Sequence, residues 1–479
     1  MANTSTTALA ADAASDATWL REIAGNASRQ EAIQKVQLRT DALIASRGYG
    51  LDLSNADLCG VDLSGFPLRR ALLNRALLHG TNLQRANLTE ASMICVAMEK
   101  TDLRDAVLFG VYAHGVAAQV CDMRGARFDH LLDATGSLFH GCSMEGANLV
   151  GAQLAGSTFY QCHLERANFC DAALMGVHFN ETGLASASFQ RATLSQAVVT
   201  KCELAGANFS HASGESFTLR MVPLADGLVL NGASFPGLDV SALHGEGLVA
   251  EGLSAPGASF RDCNLPRANF GAATLSASRW LQCTLEGVRF VSAKLDRASL
   301  VGCSLAHADL QLASCEGLYA IECVMSGGKL QSVRARAAVF RECDLSGGDF
   351  RSAYLYRAVL SGDPPSSMNL TNTNFDNANI VQAYIAADLQ NATMINAKAA
   401  YARLNQSNLR DTTLLGANLF LASMVKTDVT RADGRGLKGP VLANRTIGLD
   451  DLQAASNGQL GTIGAVDLGR APTRGESST

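Results

Sequence analysis

At 479 residues the chain is long enough for two to four ordinary domains. Hydrophobic residues make up 47% of it, yet aromatics are 6% and charged residues 17%, so the apolar content is mainly alanine and leucine and suits a narrow core of small side chains. A net charge of −5 implies neither a polyanion nor a polycation, the hydrophobicity excludes a disordered chain, and no apolar run approaches the roughly 18 residues of a membrane-spanning helix.

The first segment, MANTSTTALAADAASD, has no basic stretch leading into an apolar one, so it does not read as a secretory leader. Residues 1–16 are expected to be disordered and 17–50 to form a helical cap. Ser28-Arg-Gln-Glu31 has the pattern of a capping box. Ile33, Val36, Leu43 and Ile44 come next at helical spacing, and Gly48 is a helix stop. The expectation is a helix over 29–47 that covers the exposed edge of the fold beginning at residue 51.

From about Leu53 the sequence is periodic. Stepping by five from Phe139 meets Met144, Leu149, Leu154, Phe159, Leu164, Phe169, Leu174 and Phe179, and the run of apolar residues continues to Phe209. Two positions before each stands a small residue, such as Ala147, Ala152, Ser157, Cys162 and Ala167. A period of five fits neither a 3.6-residue helix nor a plain alternating strand. It describes a short strand segment ending in a turn, always in the same sense, so that the chain coils and its backbone pairs with the coils above and below. Ala56-Asp57-Leu58, Ala86-Asn87-Leu88, Ala147-Asn148-Leu149, Ala207-Asn208-Phe209, Ala308-Asp309-Leu310 and Ala417-Asn418-Leu419 carry the motif A-(D/N)-L-x-x over roughly 80% of the chain. This resembles the pentapeptide repeat family. The resemblance implies an all-β fold, a right-handed quadrilateral parallel β-solenoid with four repeats per coil.

The cysteines support four-sided coils independently. Cys263, Cys283, Cys303, Cys323 and Cys343 recur every 20 residues, as do Cys142, Cys162 and Cys202 with Thr182 in the gap, and Cys121 precedes Cys142 by 21. These nine are expected to form one inward wall as small, soft hydrophobes. Leu318 at a small position beside Ala320 at a large one keeps the enclosed volume nearly constant. A solenoid first part is placed at 51–211, an irregular interruption at 212–258 and a second part at 259–433. That span corresponds to about 18 or 19 coils, a rod of about 85–90 Å. A register slip is expected between Phe128 and Phe139, a projecting loop near 362–369, and a one-residue deletion between Ile385 and Leu389. Beyond Gly434 the repeat fades into an expected C-terminal cap over 434–467, and 468–479 is expected to be a disordered tail.

Chemistry is sparse in this sequence. A linear ladder of sulfurs does not converge tetrahedrally, no C-x-x-C pair occurs, and Cys162-His163 point to opposite faces of a strand, so no metal site is assigned. No phosphate loop, nucleophile elbow or zinc helix is present. No catalytic residue or cofactor is therefore assigned, and an enzyme would need a pocket at the 212–258 interruption. Cys59 and Cys170 are expected to be exposed, and the remaining thiols reduced in a cytoplasm, with export by a leader-independent secretion system as a further route. The leading expectation is a non-catalytic bacterial scaffold for a protein partner of unknown identity. Asp363, Pro364, Pro365, Ser366 and Ser367 form the candidate contact loop. The family resemblance adds a secretion-system effector or accessory role, and pairing of two copies through their C-terminal ends. The alternative it implies is a DNA mimic that binds a type II topoisomerase. Charge argues against that mimic: residues 51–212 hold 15 acids and 11 bases, 213–362 hold 14 and 13, and 363–479 hold 10 and 10. Direct nucleic-acid binding is not expected.

Overall fold

The computed structural model describes residues 3–130, 133–456 and 460–463. It falls into two compact units, Met1–Ala268 and Asn269–Thr479. Each is a four-sided parallel β-solenoid. In the first unit four columns of parallel pairing begin at Asp52↔Leu72, Asp57↔Leu77, Asp62↔Asn82 and Pro67↔Asn87, each a step of one coil. We call these the first to fourth faces, in chain order. The second face carries the regular strands, from Ala97–Glu99 to Ser259–Arg261 in the first unit and from Arg279–Leu281 to Tyr384–Ala386 in the second. The other three sides make isolated bridges separated by turns.

The five-residue period has a direct cause. The small residue and the central residue of each repeat point inward and are buried, as Ala147 and Leu149 or Ala167 and Phe169 are. The residue between them points out and pairs along the column. Two turn residues complete the repeat, and the second adopts left-handed φ, +65° at Gly156 and +59° at Arg166. Glycine takes that conformation without steric cost, which accounts for much of the glycine content. The Asn or Asp before the central residue caps the turn. Asn168 Oδ1 accepts the Cys170 N–H at 3.1 Å, Asn208 Oδ1 the Ser210 N–H at 2.9 Å, and Asp57 Oδ1 the Cys59 N–H at 3.0 Å.

The core of the first unit is a column of stacked rings. Phe139, Phe159 and Phe179 stack at 4.8 and 5.0 Å between centroids, and Phe169, Phe189 and Phe209 at 4.8 and 4.5 Å on the fourth face. The two stacks meet edge to face, as at Phe169–Phe179.

Three expectations are corrected. The N-terminal segment is not disordered from residue 1 to 16, because helix α1 runs Asn3–Asn26 and seats Ala17 and Leu20 in the core. Residues 212–258 are not irregular: they continue the coils. Val198 pairs with Thr218 but Glu203 pairs with Leu224, so the strand Thr218–Val222 takes in one extra residue, and the regular step resumes at Val229↔Val249. The segment looks irregular in sequence because size is inverted there. Leu243, Leu248 and Leu253 fill the small positions, while Gly245, Ala250 and Ala255 stand at the large ones. A Cβ at Gly245 would lie 2.5 Å from the Ala225 carbonyl oxygen, so the large position must be empty where the small one is filled. Finally, the solenoid does not end at 433, since Asn418↔Lys438, Ser423↔Leu442 and Asp428↔Ile447 add further pairing.

Other expectations are met. Tyr112↔Asp133 and Ala117↔Leu138 carry the one-residue slip, and Asn379↔Lys398 is one residue short. Helix α2 spans Arg29–Arg47, with Ser28 accepting from the Glu31 N–H and Gly48 in left-handed conformation closing it. It buries Ala32, Val36 and Thr40, while Ile33, Leu43 and Ile44 are half-buried. Its side chains satisfy the open edge of the first coil: Thr40 Oγ1 donates to Pro67 O (3.2 Å) and Arg29 Nη1 to Asp62 O (3.0 Å). From α1, buried Asp16 accepts the Asp52 N–H at 3.0 Å and is paired with Arg47 and Arg39. At the other end a short helix, α3 (Leu449–Ala455), buries Leu452, and Val441–Leu442 pairs with Thr462–Ile463. The expected tail, 468–479, lies outside the described residues.

Candidate functional site

The nine column cysteines are all buried, and Cys59 is exposed as expected, with Cys170 half-buried. Their role differs from that of a plain hydrophobe. At most corners the backbone closes on itself: the Ala147 N–H donates to Met144 O (3.0 Å), and the Ser157 N–H to Leu154 O (3.1 Å). At the corner after Phe159, the Cys162 N–H turns to Thr182 Oγ1 in the next coil (3.4 Å), and that hydroxyl donates to Phe159 O at 3.1 Å. Ser407 does the same for the Ala387 N–H and Ile385 O. The thiols take this place along the column, with Cys162 Sγ at 3.3 Å from Phe139 O and Cys343 Sγ at 3.5 Å from Ala320 O. Thr81 and Thr427 donate to Leu58 O and Leu404 O, there as a second donor beside the backbone N–H groups of Val61 and Ser407. Most of this wall thus carries a side-chain donor, with Val222, Leu243, Met368 and Ala387 as apolar exceptions. Sequence reading by volume missed this, although the threonines at the same 20-residue step were the available signal. Burial pushes the Cys202 thiol up to about 11 and the Cys315 thiol up to about 12, which keeps both protonated and unreactive at neutral pH. Among the described residues no group of three or more His, Cys, Asp or Glu converges as metal ligands.

The candidate contact loop Asp363–Ser367 is brought to a definite place. Tyr354 pairs with Asn379, so five residues are added to one coil, and Pro365–Ser367 folds as a single 3-10 turn. The Ser367 hydroxyl donates to Pro364 O at 2.8 Å and closes the loop. Asp363 and Pro365 wall a concavity of about 380 Å³ beside the second face, whose floor includes Tyr319, Val339 and Val359. A neighbouring concavity of about 710 Å³ shares Tyr384 and continues past Arg357, Tyr401 and Arg403 to Leu442. Together they make a shallow groove along one face of the second unit. Its aromatic rings are open to solvent: Tyr319 is 41% exposed, Tyr384 37% and Tyr401 49%. The deletion after Ile385 leaves that corner with Ala386 alone between Ile385 and Ala387. The one-residue deletion and the inserted loop occupy the same corner of consecutive coils, a coincidence that sequence numbering conceals.

The comparisons with known proteins agree with this architecture. A model described as a pentapeptide repeat region matches residues 132–209. A second, of eight pentapeptide repeats, matches 71–110, 268–305, 289–327, 336–362 and 387–424, and the two together cover about half of the chain. Among solved structures, the chain is similar to HetL, a pentapeptide repeat protein involved in heterocyst differentiation regulation from the cyanobacterium Nostoc sp. strain PCC 7120. The identity is 22% over 55% of this chain and 89% of that one, with a TM-score of 0.15. It is also similar to QnrB1, a plasmid-mediated fluoroquinolone resistance protein, at 15% identity over 51% of this chain and 98% of that one, with a TM-score of 0.20. No curated protein matches it.

Proposed function

The chain belongs to the pentapeptide repeat family, and from that premise we propose that it is a non-catalytic scaffold that holds a protein partner in the groove of its second unit. The observation that carries this reading is the open row of Tyr319, Val339, Val359 and Tyr384 along a rigid sheet, walled by the Asp363–Ser367 loop. Tyrosine and arginine dominate the energetic centres of protein interfaces, and a preformed sheet presents them at little entropic cost. No helix among the described residues is long and apolar enough to cross a membrane.

The DNA-mimic alternative is weakened by what the carboxylates do. A mimic needs free, regularly spaced negative charge. Here the motif aspartates accept backbone N–H groups of their own turns, and many are neutralised by arginine. Asp102 is paired with Arg104 at 2.6 Å, Asp349 with Arg351 at 2.6 Å and Asp433 with Arg435 at 2.6 Å.

The test is site-specific photocrosslinking in the native host, with a photoreactive phenylalanine at Tyr384 or, as control, at Thr393 on the fourth face. A discrete adduct from Tyr384 alone is expected; none, or equal labelling from both, removes the reading. In parallel, purified protein at micromolar concentration is expected to leave gyrase supercoiling unchanged, and inhibition would restore the alternative.

A further inference from the structure

We propose that the occupant of this groove is an extended, acidic segment of the partner protein that also carries aromatic or aliphatic side chains. The proposal rests on the scaffold reading and adds the chemistry of the partner.

From Asp349 onward, pairing of charge differs between the sides of the second unit. On the third and fourth faces of these coils the arginines are spent on neighbouring carboxylates: Arg351 on Asp349 (2.6 Å), Arg410 on Asp428 (3.6 Å), Arg431 on Asp411 (2.5 Å) and Arg435 on Asp433 (2.6 Å). The column Arg334↔Tyr354↔Asn379↔Lys398↔Asn418↔Lys438 is different, and so is Arg403 on the adjoining second face. Among the described residues, neither these cations nor Arg336 and Arg357 beside them have a carboxylate within ion-pair distance. An acid–base count by segment shows balance, yet in these coils the groove side holds unpaired arginines, Arg357 and Arg403, and the third and fourth faces hold paired ones.

The cations are also positioned. Arg357 Nε donates to Gln382 Oε1 at 2.7 Å and its guanidinium stands 5.1 Å from the Tyr356 ring, with Arg336 at 5.9 Å from the same ring. Held this way, the terminal nitrogens of Arg357 remain free to donate to a carboxylate.

The groove has two halves of unlike chemistry. Tyr319, Val339 and Val359 floor the half under the loop beside the polar Arg341, Asp363 and Gln406, and Arg357 and Arg403 line the cationic half, with Tyr384 in both. A nucleic acid carries uniform charge and needs open ring faces for its bases. Of the groove's rings, Tyr401 packs edge to face on Phe420, and beside the groove Tyr354 and Tyr356 stack on each other, which leaves Tyr319 and Tyr384 as its open rings. A peptide with aromatic or aliphatic side chains to meet Tyr319, Val339 and Val359 and acidic ones to meet Arg357 and Arg403 matches both halves. From Tyr319 to Ser423 the floor spans five coil steps, roughly 24 Å, which is about seven residues of extended chain.

The probes are a random glutamate–tyrosine copolymer (4:1), poly-glutamate and oligo-dT, each titrated against the full chain by fluorescence anisotropy. The copolymer is expected to bind at least about tenfold tighter than either of the others. R357E/R403E and Y384A/Y401A are each expected to lose at least about tenfold, whereas R351E, on a paired arginine of the fourth face, stays within about twofold. Copolymer binding that survives R357E/R403E overturns the proposal, as does oligo-dT binding as tight as the copolymer or no binding at all. The milder R403A keeps the test valid if the double reversal unfolds. Carrying R357E/R403E into the crosslinking experiment separates the two readings: an undiminished Tyr384 adduct sinks the acidic-segment proposal and leaves the scaffold standing.

Discussion

A buried carbonyl without a donor costs about 1–3 kcal/mol, and the corners at which the backbone does not close on itself leave such a group. Phe159 O is such a group, and Thr182 Oγ1 answers it. This reverses the reading of the cysteine column: Cys162 and Cys343 are chosen for a weak S–H donor as well as for size. Thr182→Val, which keeps shape and removes the hydroxyl, is expected to destabilise the first unit by about 1–3 kcal/mol in urea denaturation. Thr182→Cys should recover part of that loss, and Cys162→Ser should be tolerated. A valine variant as stable as the parent would show that volume alone sets the wall. The 20-residue period was legible because it is a count; its cause was not, because a donor's partner lies in the adjacent coil, 23 residues away.

Within one coil, inward volume is conserved and its distribution is free. Leu318 beside Ala320 showed this in the sequence, and both are buried. Residues 243–255 apply the same exchange three times, which is why they do not read as repeats. The energetic consequence is non-additivity. Leu318→Ala alone is expected to cost about 2–5 kcal/mol by opening a cavity, and Ala320→Leu alone about 1–3 kcal/mol by overpacking. The double variant should recover most of the combined loss. Thermal melts of the four proteins check the cycle, and strict additivity would contradict a shared enclosed volume. At the same scale, helix α2 was legible from Ser28, Glu31 and Gly48, because capping is local. Which residues it buries was not legible, since the face is selected by the coil it covers. Helix α1 left no comparable signal, as its partners Arg39, Arg47 and Asp52 lie elsewhere in the chain.

Across the molecule, arginine and carboxylate pair along or between coils. The Arg104 guanidinium, hydrogen-bonded to Asp102, holds its carboxyl below the ordinary carboxylate range, and Arg124 does the same to Asp122. A carboxylate with a depressed folded pKa binds fewer protons folded than unfolded. Its contribution is therefore fully present above the unfolded value of about 3.9 and is lost as pH falls through the lower folded values. The melting temperature is expected to be flat from about pH 7 to 5 and to fall below about pH 4. In R104A/R124A, part of that acid-side fall should disappear. An unchanged profile in that variant would assign the acid sensitivity to other groups.

Sequence alone determined the repeat, the four sides, the inward wall and the absence of strong net charge, because each comes from periodicity or from counting. It also singled out Asp363–Ser367, since two prolines after a glycine and an aspartate cannot continue a five-residue turn. Only the tertiary structure decided where that loop points, that it walls the row from Tyr319 to Tyr384, and that Arg357 and Arg403 remain free while Arg351 and Arg431 do not. The physical reason is that pairing and exposure are settled between coils. Residues about 20 apart become neighbours there, and a one-residue insertion or deletion changes which ones meet.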